Sequence, residues 1–475
     1  MWMFAPTVAT LLSLASLSRF VQHSAAITLN IDDSNSIKSA ASTIAYGMMK
    51  SYTGNQTGQI PGYLPQPYYW WEAGSMFMTL VEYWYYTGDT TYNDVTSQAL
   101  LFQVGENKDF MPANQTRDEG NDDQVFWAFA ALSAAELGFP NPPADQPQWL
   151  ALAQAVFNTQ AARWDTTSCG GGLRWQIFTF NNGYDYKNAI SNGGFFQLSA
   201  RLARYTGNET YADWADRMWD WLAQSPLLDV KSSATKYTVN DGSSTTANCS
   251  EADRLQWTYN YGTLVSGAAY MYNHTNGSAV WETRLSALLN GTYDVFFPKQ
   301  YAGGTIMSEI TCEQGQTCDN DQPSFKAYLS RWMAVAAQIA PFTAAAIAPR
   351  IRASAQGAAK QCAGGDGGIM CGRRWYQDDW DGFQGIGEQM SALSVVQANM
   401  LFLDNGSGGG GATSLRPPLS ANTGGNSTGD PSAGTGSGVA KPRVDEVTGS
   451  DRAGAAILTV GLVVLTIGGA VFMIL

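Results

Sequence analysis

The most constraining feature of this sequence is the alternation of two kinds of helical segment. Six segments are apolar on nearly every face, and their starts lie about 50 to 70 residues apart. They begin after the stretch 68–74, at Asn121, at Asn192, near Tyr259, at Ser324 and at Gly387. A helix that is apolar all round is buried on every side. These six segments therefore predict a buried set of helices.

Between them lie amphipathic segments with one polar face. They cover residues 36–52, 92–105, 148–162, 210–223, 280–289 and 342–357. A closed helical barrel has an inner ring of buried helices and an outer ring of amphipathic helices, and the two kinds alternate along the chain. We therefore predict an all-α fold, an (α/α)6 barrel, with the starts of the inner helices at one open end. An α-solenoid also repeats helix pairs, but its repeats are usually shorter and more uniform.

Two adjacent carboxylates stand at the start of the second apolar helix, in EGNDDQVFW (119–127). Asn121, Asp122 and Asp123 suit the first turn of a helix, where backbone N–H groups lack partners and the macrodipole is positive. Retaining glycosidases need two carboxyl groups about 5–5.5 Å apart, which neighbouring helical residues can reach. For an arbitrary acidic pair, however, helix capping alone is the commoner explanation.

Both ends of the chain predict processing signals. Residues 1–26 contain an apolar core and end in the small-x-small pattern of Ser24 to Ala26, although a basic leading segment is missing. We interpret them as a secretory signal peptide. Residues 453–475 are uncharged and apolar, with nothing polar after them, which favours the tail of a glycosylphosphatidylinositol (GPI) signal over a transmembrane span.

The segment 405–452 is rich in Gly, Ser, Thr, Ala and Pro. Such a composition buries too little apolar area to fold, so we predict a flexible stalk that includes the GPI attachment region. The folded domain is then expected over residues 27–404. This organisation predicts a protein on the extracellular face of the plasma membrane.

Charge and histidine content exclude several classes of function. The chain has only two histidines, so Ser-His-Asp hydrolysis and histidine-based metal chemistry are not expected. The net charge of −13 argues against nucleic acid as a partner. Acid–base chemistry must then fall to Asp, Glu, Tyr or Lys. We predict no cofactor and no metal site.

Six cysteines and nine N-x-[ST] sequons fit an oxidising, secretory route. Fifteen pairings of the cysteines are possible, and the simplest joins Cys312 to Cys318 and Cys362 to Cys371, which leaves Cys169 with Cys249. The candidate glycosylation sites are Asn55, Asn114, Asn208, Asn248, Asn273, Asn276, Asn290, Asn405 and Asn426.

Longer motifs run through nearly the whole predicted domain. They are PYYWWEAG (67–74), EGNDDQVFW (119–127), LAQAVFNTQAARWD (152–165), CGGGLRWQIF (169–178), YDYKNAISNG (184–193), LARYTGN (202–208), QWTYNYG (256–262), SFKAYLSRW (324–332) and GIGEQMSAL (385–393). On these motifs the chain resembles glycoside hydrolase family 76, the α-1,6-mannanases, and is most similar to its GPI-anchored fungal cell-wall branch.

The resemblance implies an (α/α)6 barrel and a retaining mechanism in which Asp122 is the nucleophile and Asp123 the general acid/base. It implies α-1,6-mannan or the mannose core of a GPI glycan as the donor. Water would complete hydrolysis, whereas a hydroxyl group of wall glucan would complete transfer and cross-link GPI-linked proteins to the wall. The residues do not distinguish these two acceptors.

Further candidates for substrate binding lie at the starts of the inner helices. Each aromatic candidate can stack on a sugar or belong to the core, and each polar candidate can bind a sugar hydroxyl or cap its own helix. They are Tyr69, Trp70, Trp71, Trp127, Asn192, Tyr259, Asn260 and Glu388. The glycine-rich loop 170–176 can approach substrate or form a tight turn, and the acidic loop 378–381 is expected to be solvated.

Two alternatives belong to other functional classes. A non-catalytic mannan-binding or structural wall protein would keep the aromatic side chains without needing both aspartates. An isoprenoid-type helical enzyme would use Asp-rich helices for magnesium. It would want another acidic residue on the same helix face, where this chain has Val125 and Phe126.

Overall fold

The structure, a computed structural model, describes residues 26–403, 415–435 and Thr459. Apart from Ala26 and Thr459, the predicted signal peptide and the predicted GPI tail lie outside the described residues.

Helices dominate the part of the chain that the structure describes. The α-helices are α1 (Ser34–Met49), α2 (Trp70–Thr87), α3 (Asn93–Phe102), α4 (Asn121–Leu137), α5 (Trp149–Ala162), α6 (Ala189–Thr206), α7 (Glu209–Gln224), α8 (Thr258–His274), α9 (Ala279–Phe296), α10 (Phe325–Ile339), α11 (Ala344–Gln361) and α12 (Ile386–Gln397). Six short strands form three antiparallel pairs: β1 (Tyr186–Asn188) with β4 (Gly242–Ser244), β2 (Leu228–Asp229) with β3 (Thr238–Val239), and β5 (Cys362–Gly364) with β6 (Met370–Cys371).

The even-numbered helices form a closed inner ring. Each packs against the next, from α2 through α4, α6, α8 and α10 to α12, and α12 packs against α2 again. The odd-numbered helices surround this ring, because α3, α5, α7, α9, α11 and α1 pack on α2, α4, α6, α8, α10 and α12 in turn. The predicted (α/α)6 barrel is therefore confirmed.

Burial follows the predicted division into two rings. Every residue of α12 is buried, whereas α7 buries an apolar stripe that includes Tyr211, Ala215 and Met218 and exposes its other face. At the far ends of α2 and α4, Gly88 and Gly138 adopt φ angles of 75° and 72°. A side chain would strain this left-handed cap, so the glycines stop both helices at the same end of the barrel. We call this end the barrel floor.

Most helix boundaries lie within a few residues of the predicted ones, and the larger differences have local causes. The first inner helix begins at Trp70, inside the stretch 68–74 after which it was predicted to start, because the Glu72 side chain accepts the N–H of Tyr69 and caps the helix there. The third inner helix begins at Ala189 rather than at Asn192, because the side chain of Asn188 accepts a hydrogen bond from the N–H of Ser191 and caps the helix earlier. The helix predicted over residues 280–289 continues to Phe296.

Part of the predicted flexible stalk packs on the barrel, so the stalk prediction is wrong for residues 415–435. We call this segment the C-terminal strap. The N–H of Leu419 donates to the carbonyl of Glu136 at 2.6 Å, the Ser427 hydroxyl accepts from the N–H of Leu150 at 3.0 Å, and the N–H of Asp430 donates to Gln154 at 2.6 Å. A segment with little apolar area is ordered here through its backbone and small polar groups.

Three disulfides are present among the described residues, and they are the predicted ones: Cys169–Cys249, Cys312–Cys318 and Cys362–Cys371. Of the nine sequons, Asn405 lies outside the described residues and Asn273 is half-buried, with its amide bonded to Arg204 and to the carbonyl of Ile339. The other seven asparagines are exposed. Glycosylation remains a prediction.

No single helix among the described residues is long and apolar enough to cross a bilayer. One bent pair, Gln322–Ile339 with Pro341–Gln361, passes that test by length and composition, at an angle of 118°. These residues include α10 and α11, an inner helix and its outer partner.

Candidate active site

A cleft of about 570 Å³ opens at the end of the barrel where the inner helices start. It is formed by the first residues of α2, α4, α8 and α10 and by the loops around them. The lining residues are Tyr69, Trp70, Trp71, Gln115, Asp118, Glu119, Asp122, Asp123, Phe126, Trp175, Gln176, Tyr186, Asn188, Ile190, Asp241, Leu255, Trp257, Tyr259, Asp321, Gln322 and Phe325. Among these described residues there are six carboxyl groups and no lysine, arginine or histidine.

Asp122 and Asp123, which we call the acidic pair, occupy the first turn of α4 and are partly exposed to the cleft. Asp123 accepts a hydrogen bond from the N–H of Gly120 at 2.6 Å. Asp122 accepts one from the N–H of Asp123 at 3.0 Å and another from the Asn188 amide at 3.4 Å. The positive end of the helix and these donors hold both carboxyl groups in place.

The loop that contains the glycine-rich stretch fixes the start of α4. The N–H of Asn121 donates to the carbonyl of Trp175 at 2.8 Å, and its amide donates to the carbonyl of Arg174 at 2.9 Å. Behind them, Arg163 donates to the Asn121 side chain at 2.9 Å. Gly120 completes the turn, since a β-carbon there would collide with an Asp122 oxygen. The loop therefore positions the acidic pair through its backbone.

The acidic pair holds protons more tightly than ordinary aspartates do. Burial, and after it the charge of Asp123, raise the pKa of Asp122 well above its usual value. Burial raises the pKa of Asp123 to about 6, although the Gly120 N–H opposes this shift. Because an anion on one carboxyl group disfavours an anion on the other, the pair releases its protons in two steps. Between these steps it holds one proton.

Glu119, directly before this turn, is a further buried acid. Its side chain is 1% exposed, and neither carboxyl oxygen has a hydrogen-bond partner among the described residues. Burial and the charge of Asp123 raise its pKa well above the usual value, and Arg163 opposes them. The neutral acid is therefore favoured beside the acidic pair.

Two more acids on other walls of the cleft were not predicted from the sequence. Both oxygens of Asp241 accept hydrogen bonds, from the Tyr186 hydroxyl at 2.9 Å and from the Asn260 amide at 3.2 Å. Asp321 precedes α10, and its Oδ1 is buried without a partner among the described residues. Loop residues far apart in sequence thus contribute to the same cleft as the acidic pair.

Four of the predicted aromatic residues line the cleft: Tyr69, Trp70, Trp71 and Tyr259. Tyr69 is 54% exposed, and the Tyr259 ring stacks on Phe325 with centroids 3.8 Å apart. Trp175 and Trp257, which the prediction did not include, line it as well. Exposed aromatic faces beside carboxyl groups suit the apolar faces and the hydroxyl groups of sugar rings.

Two predicted substrate-binding residues, Trp127 and Asn192, do not line the cleft. Trp127 is 0% exposed and stacks on Trp70 with centroids 5.0 Å apart, because it points from α4 into the core. The Asn192 side chain binds both the N–H and the carbonyl of Leu173, at 2.7 and 2.9 Å. It therefore holds the glycine-rich loop at Leu173 instead of facing the cleft.

Asn260 and Glu388 are also buried and absent from the cleft lining. The Asn260 amide donates to Asp241, so it orients a residue of the cleft wall. Glu388 forms a salt bridge with Arg373 at 2.6 Å. These two residues support the cleft wall or a neighbouring loop, and they do not line the cleft themselves.

The acidic loop 378–381 is not part of the cleft. Asp378 pairs with Lys360 at the surface, whereas Asp381 is buried and accepts the N–H groups of Arg373 and Arg374. It was expected to be solvated, and for Asp381 this is wrong, because these donors compensate for its burial. No group of three metal-ligating side chains occurs in the described part of the chain.

Comparison with known proteins identifies the family to which this chain belongs. A model described as Glycosyl hydrolase family 76 matches residues 36–407. Mannan endo-1,6-alpha-mannosidase DCW1 of Candida glabrata is 47% identical over 433 residues, which cover 91% of this chain and 92% of that protein. Mannan endo-1,6-alpha-mannosidase DFG5 of Saccharomyces cerevisiae is 42% identical over 458 residues, 96% of each chain.

Solved structures agree. Dfg5 from Chaetomium thermophilum in complex with glucosamine matches with a TM-score of 0.79 at 45% identity, over 86% of this chain and 98% of that one. The GH76A alpha-1,6-mannanase of a Salegentibacter species matches with a TM-score of 0.60 at 18% identity, over 77% of this chain and 99% of that one. The second match shows a common fold.

Proposed function

Since this chain belongs to glycosyl hydrolase family 76, we propose that it is a retaining glycosidase or transglycosidase that acts on α-1,6-linked mannose. The observation that carries the proposal is the acidic pair, two adjacent carboxyl groups that face a cleft and hold one proton between their two pKa values. Retaining hydrolysis needs that state, one carboxylate and one carboxylic acid beside the same glycosidic bond.

In the mechanism, Asp122 attacks the anomeric carbon while Asp123 gives its proton to the leaving oxygen. The Asn188 amide and the N–H of Asp123 donate to Asp122 and oppose the rise in its pKa that burial and the charge of Asp123 cause. Asp123 then removes a proton from the incoming hydroxyl group, which attacks the mannosyl-enzyme and releases Asp122. Water gives hydrolysis, and a wall-glucan hydroxyl gives transfer.

The relatives support the substrate class. Those named above are mannan endo-1,6-alpha-mannosidases. An inactive variant of the Salegentibacter mannanase, with two consecutive aspartates replaced, is in complex with alpha-1,6-mannotetrose. The Chaetomium relative is in complex with glucosamine. For this chain we propose α-1,6-mannan or the mannose core of a GPI glycan as the donor and wall glucan as an acceptor, in cell-wall biogenesis.

We further propose that the protein is secreted, glycosylated and GPI-anchored at the extracellular face of the plasma membrane, with access to the cell wall. The apolar ends of the chain, the sequons and the three disulfides support this location.

The test is product analysis with the purified full-length protein, given an α-1,6-mannooligosaccharide with and without a β-glucan acceptor. Shorter mannosides alone identify a hydrolase, and mannosyl-glucan conjugates identify a transglycosidase. Asp122→Asn and Asp123→Asn should abolish either product. Binding without any product, or normal turnover by both variants, would refute the catalytic role and support a mannan-binding wall protein.

A further inference from the structure

We propose that Asp321 is a substrate-binding residue that accepts hydrogen bonds from hydroxyl groups of the sugar held against the acidic pair, and so sets the rotation of that ring in the cleft. This inference rests on the proposed function and adds to it a specificity residue on a second wall of the site.

The loop that carries Asp321 is rigidly held. It directly follows the disulfide Cys312–Cys318, and the amide of Asn320 donates to the carbonyl of Pro67 at 3.2 Å, in the segment that leads into α2. The N–H of Asp321 donates to the side chain of Asp319 at 3.0 Å, and its carbonyl accepts the N–H of Ser324 at 3.0 Å. The backbone of Asp321 is therefore fixed on both sides, which pre-organises its side chain for a ligand.

The carboxyl group of Asp321 does not serve the fold in the way that Asp241 does. Asp241 uses both oxygens to bind Tyr186 and Asn260, side chains of its own wall. Asp321 lines the same cleft, lies within hydrogen-bonding reach of the Trp71 side chain, and keeps Oδ1 buried without a partner in the described part of the chain. A buried acceptor without a donor destabilises the protein, and a ligand hydroxyl would recover that loss.

The surroundings of Asp321 suit a neutral sugar. The acidic groups that act on it are Asp319 in its own loop and Asp123 on α4, and Asp321 in turn acts on Tyr69 and Glu72 of α2 and on Tyr259 of α8. No cation is among these groups, and burial with the charges of Asp319 and Asp123 raises the pKa of Asp321 to about 7. A carboxyl group in either state can bond to a hydroxyl group, and the Trp71 ring beside it offers an apolar face.

The position of Asp321 also allows it to orient the bound sugar for the reaction. The charge of Asp123 acts on Asp321, and the two residues line the cleft from different walls. A sugar bonded to Asp321 on one side and facing the acidic pair on the other has little freedom to rotate. Such orientation raises the fraction of bound substrate that is aligned for attack.

The experiment measures binding in a background that does not turn over, Asp122→Asn with Asp123→Asn in the full-length protein. Calorimetry with α-1,6-mannotriose gives the Kd for this background alone and with Asp321→Ala, Asp321→Asn or Asp319→Asn added. Asp319→Asn removes one negative charge from the same loop but keeps the oxygen that accepts the Asp321 N–H, so it is the matched control.

We expect Asp321→Ala to weaken binding about tenfold or more and Asp321→Asn, which keeps one acceptor oxygen, to weaken it less. Asp319→Asn should stay within about twofold of the background, as expected for an exposed charge outside the contact. Deoxy-mannosides then locate the bond: one missing hydroxyl should weaken binding to the background but not to the Asp321→Ala variant. A residue that only supports the loop would not produce that coupling.

Two outcomes overturn the inference, and they are distinguishable. If the background binds mannotriose and Asp321→Ala binds it equally well, or loses the same affinity for every deoxy analogue as the background does, Asp321 does not contact the sugar and the proposed function stands. If the background with its cleft intact binds no mannoside, the proposed function fails and the inference fails with it. Should Asp321→Ala not fold, the comparison of Asp321→Asn with Asp319→Asn carries the same test.

Discussion

The acids that line the cleft and the acids of the barrel floor are buried in opposite ways. At the floor, Glu136 pairs with Arg201 at 2.8 Å and Glu82 pairs with Arg331 at 3.3 Å. At the cleft end, Asp122 and Asp123 lie beside each other and beside Glu119, and no cation lines the described part of the cleft. The same helices, α2 and α4, supply acids at both ends.

This difference separates the acids that stabilise the fold from the acids that can take part in a reaction. A buried carboxylate beside an arginine has a compensating charge, and the arginine cannot be removed without a large cost. Carboxyl groups that face one another keep protons at a pH where ordinary aspartates have lost them. The floor therefore holds the inner ring together, whereas the cleft end stores protons that a reaction can use. Four predictions test this division, from the largest expected effect to the smallest.

The largest effect is expected from the acidic pair. Asp122→Asn and Asp123→Asn should each lower kcat/KM for an α-1,6-mannoside by about 10⁴-fold or more, since each removes a group that acts on the reacting atoms. Steady-state kinetics measures the loss. With an activated aryl leaving group that needs no proton, Asp123→Asn should recover formation of the glycosyl-enzyme and Asp122→Asn should not. The reverse pattern would exchange the two roles.

The second effect concerns the floor. Arg201→Met leaves Glu136 buried without its cation and should lower the free energy of unfolding by about 3–5 kcal/mol. Denaturant unfolding measures this loss. Lys236→Met breaks an exposed pair with Asp294 and should cost less than about 1 kcal/mol. Equal losses in the two variants would show that the floor pairs are no more important than surface ones.

The third prediction uses pH. The pKa of Asp123 is raised to about 6 in the folded protein, above the unfolded value, so the folded state binds more protons between about pH 4 and pH 6. Stability due to this group is therefore highest at the acid end of that window and falls as the pH rises through it. Asp123→Asn should reduce that fall by about 2–3 kcal/mol. An unchanged pH profile of the melting temperature would contradict the raised pKa.

The smallest effect is expected at the C-terminal strap. Ser427→Ala removes the acceptor for the N–H of Leu150 and should cost about 0.5–1.5 kcal/mol, with kcat/KM unchanged. Asn422→Ala, at an exposed position of the same strap and outside the sequon at Asn426, is the control and should cost less. A loss of activity in Ser427→Ala would show that the strap acts on the cleft as well as on the floor.

The sequence predicted the parts of the molecule that depend on local patterns. Periodic burial identified both rings of helices, and the acidic pair with its loop motifs identified the start of α4. The strap was missed because composition measures apolar area and says nothing about backbone groups that find partners on a surface. The short cysteine spacings led to the correct disulfides.

The walls of the cleft were harder to predict, because they come from loops that meet only in the fold. Asp241 and Asp321 belong to no inner helix, although Asp321 precedes one by a few residues. Trp127 lies five positions after Asp122 on α4, which turns its side chain about 140° away at 100° per residue. A pattern that gives the start of a helix does not give the rotation of each side chain about its axis.

The C-terminal strap also fixes where its own last described residues lie on the barrel. Ser427 lies against Leu150 at the beginning of α5, and the Asn158 amide binds the carbonyls of Pro431 and Ala433 further along that helix. Between its contacts with Leu150 and Asn158 the strap runs about 12 Å along the outer helix α5, at 1.5 Å per helical residue, in the direction of the cleft. A strap attached at the barrel floor would direct the cleft away from an anchoring membrane. For a protein anchored as proposed, a strap attached to the side of the barrel allows the barrel axis to lie parallel to the membrane. The cleft then faces glycan chains beside the protein.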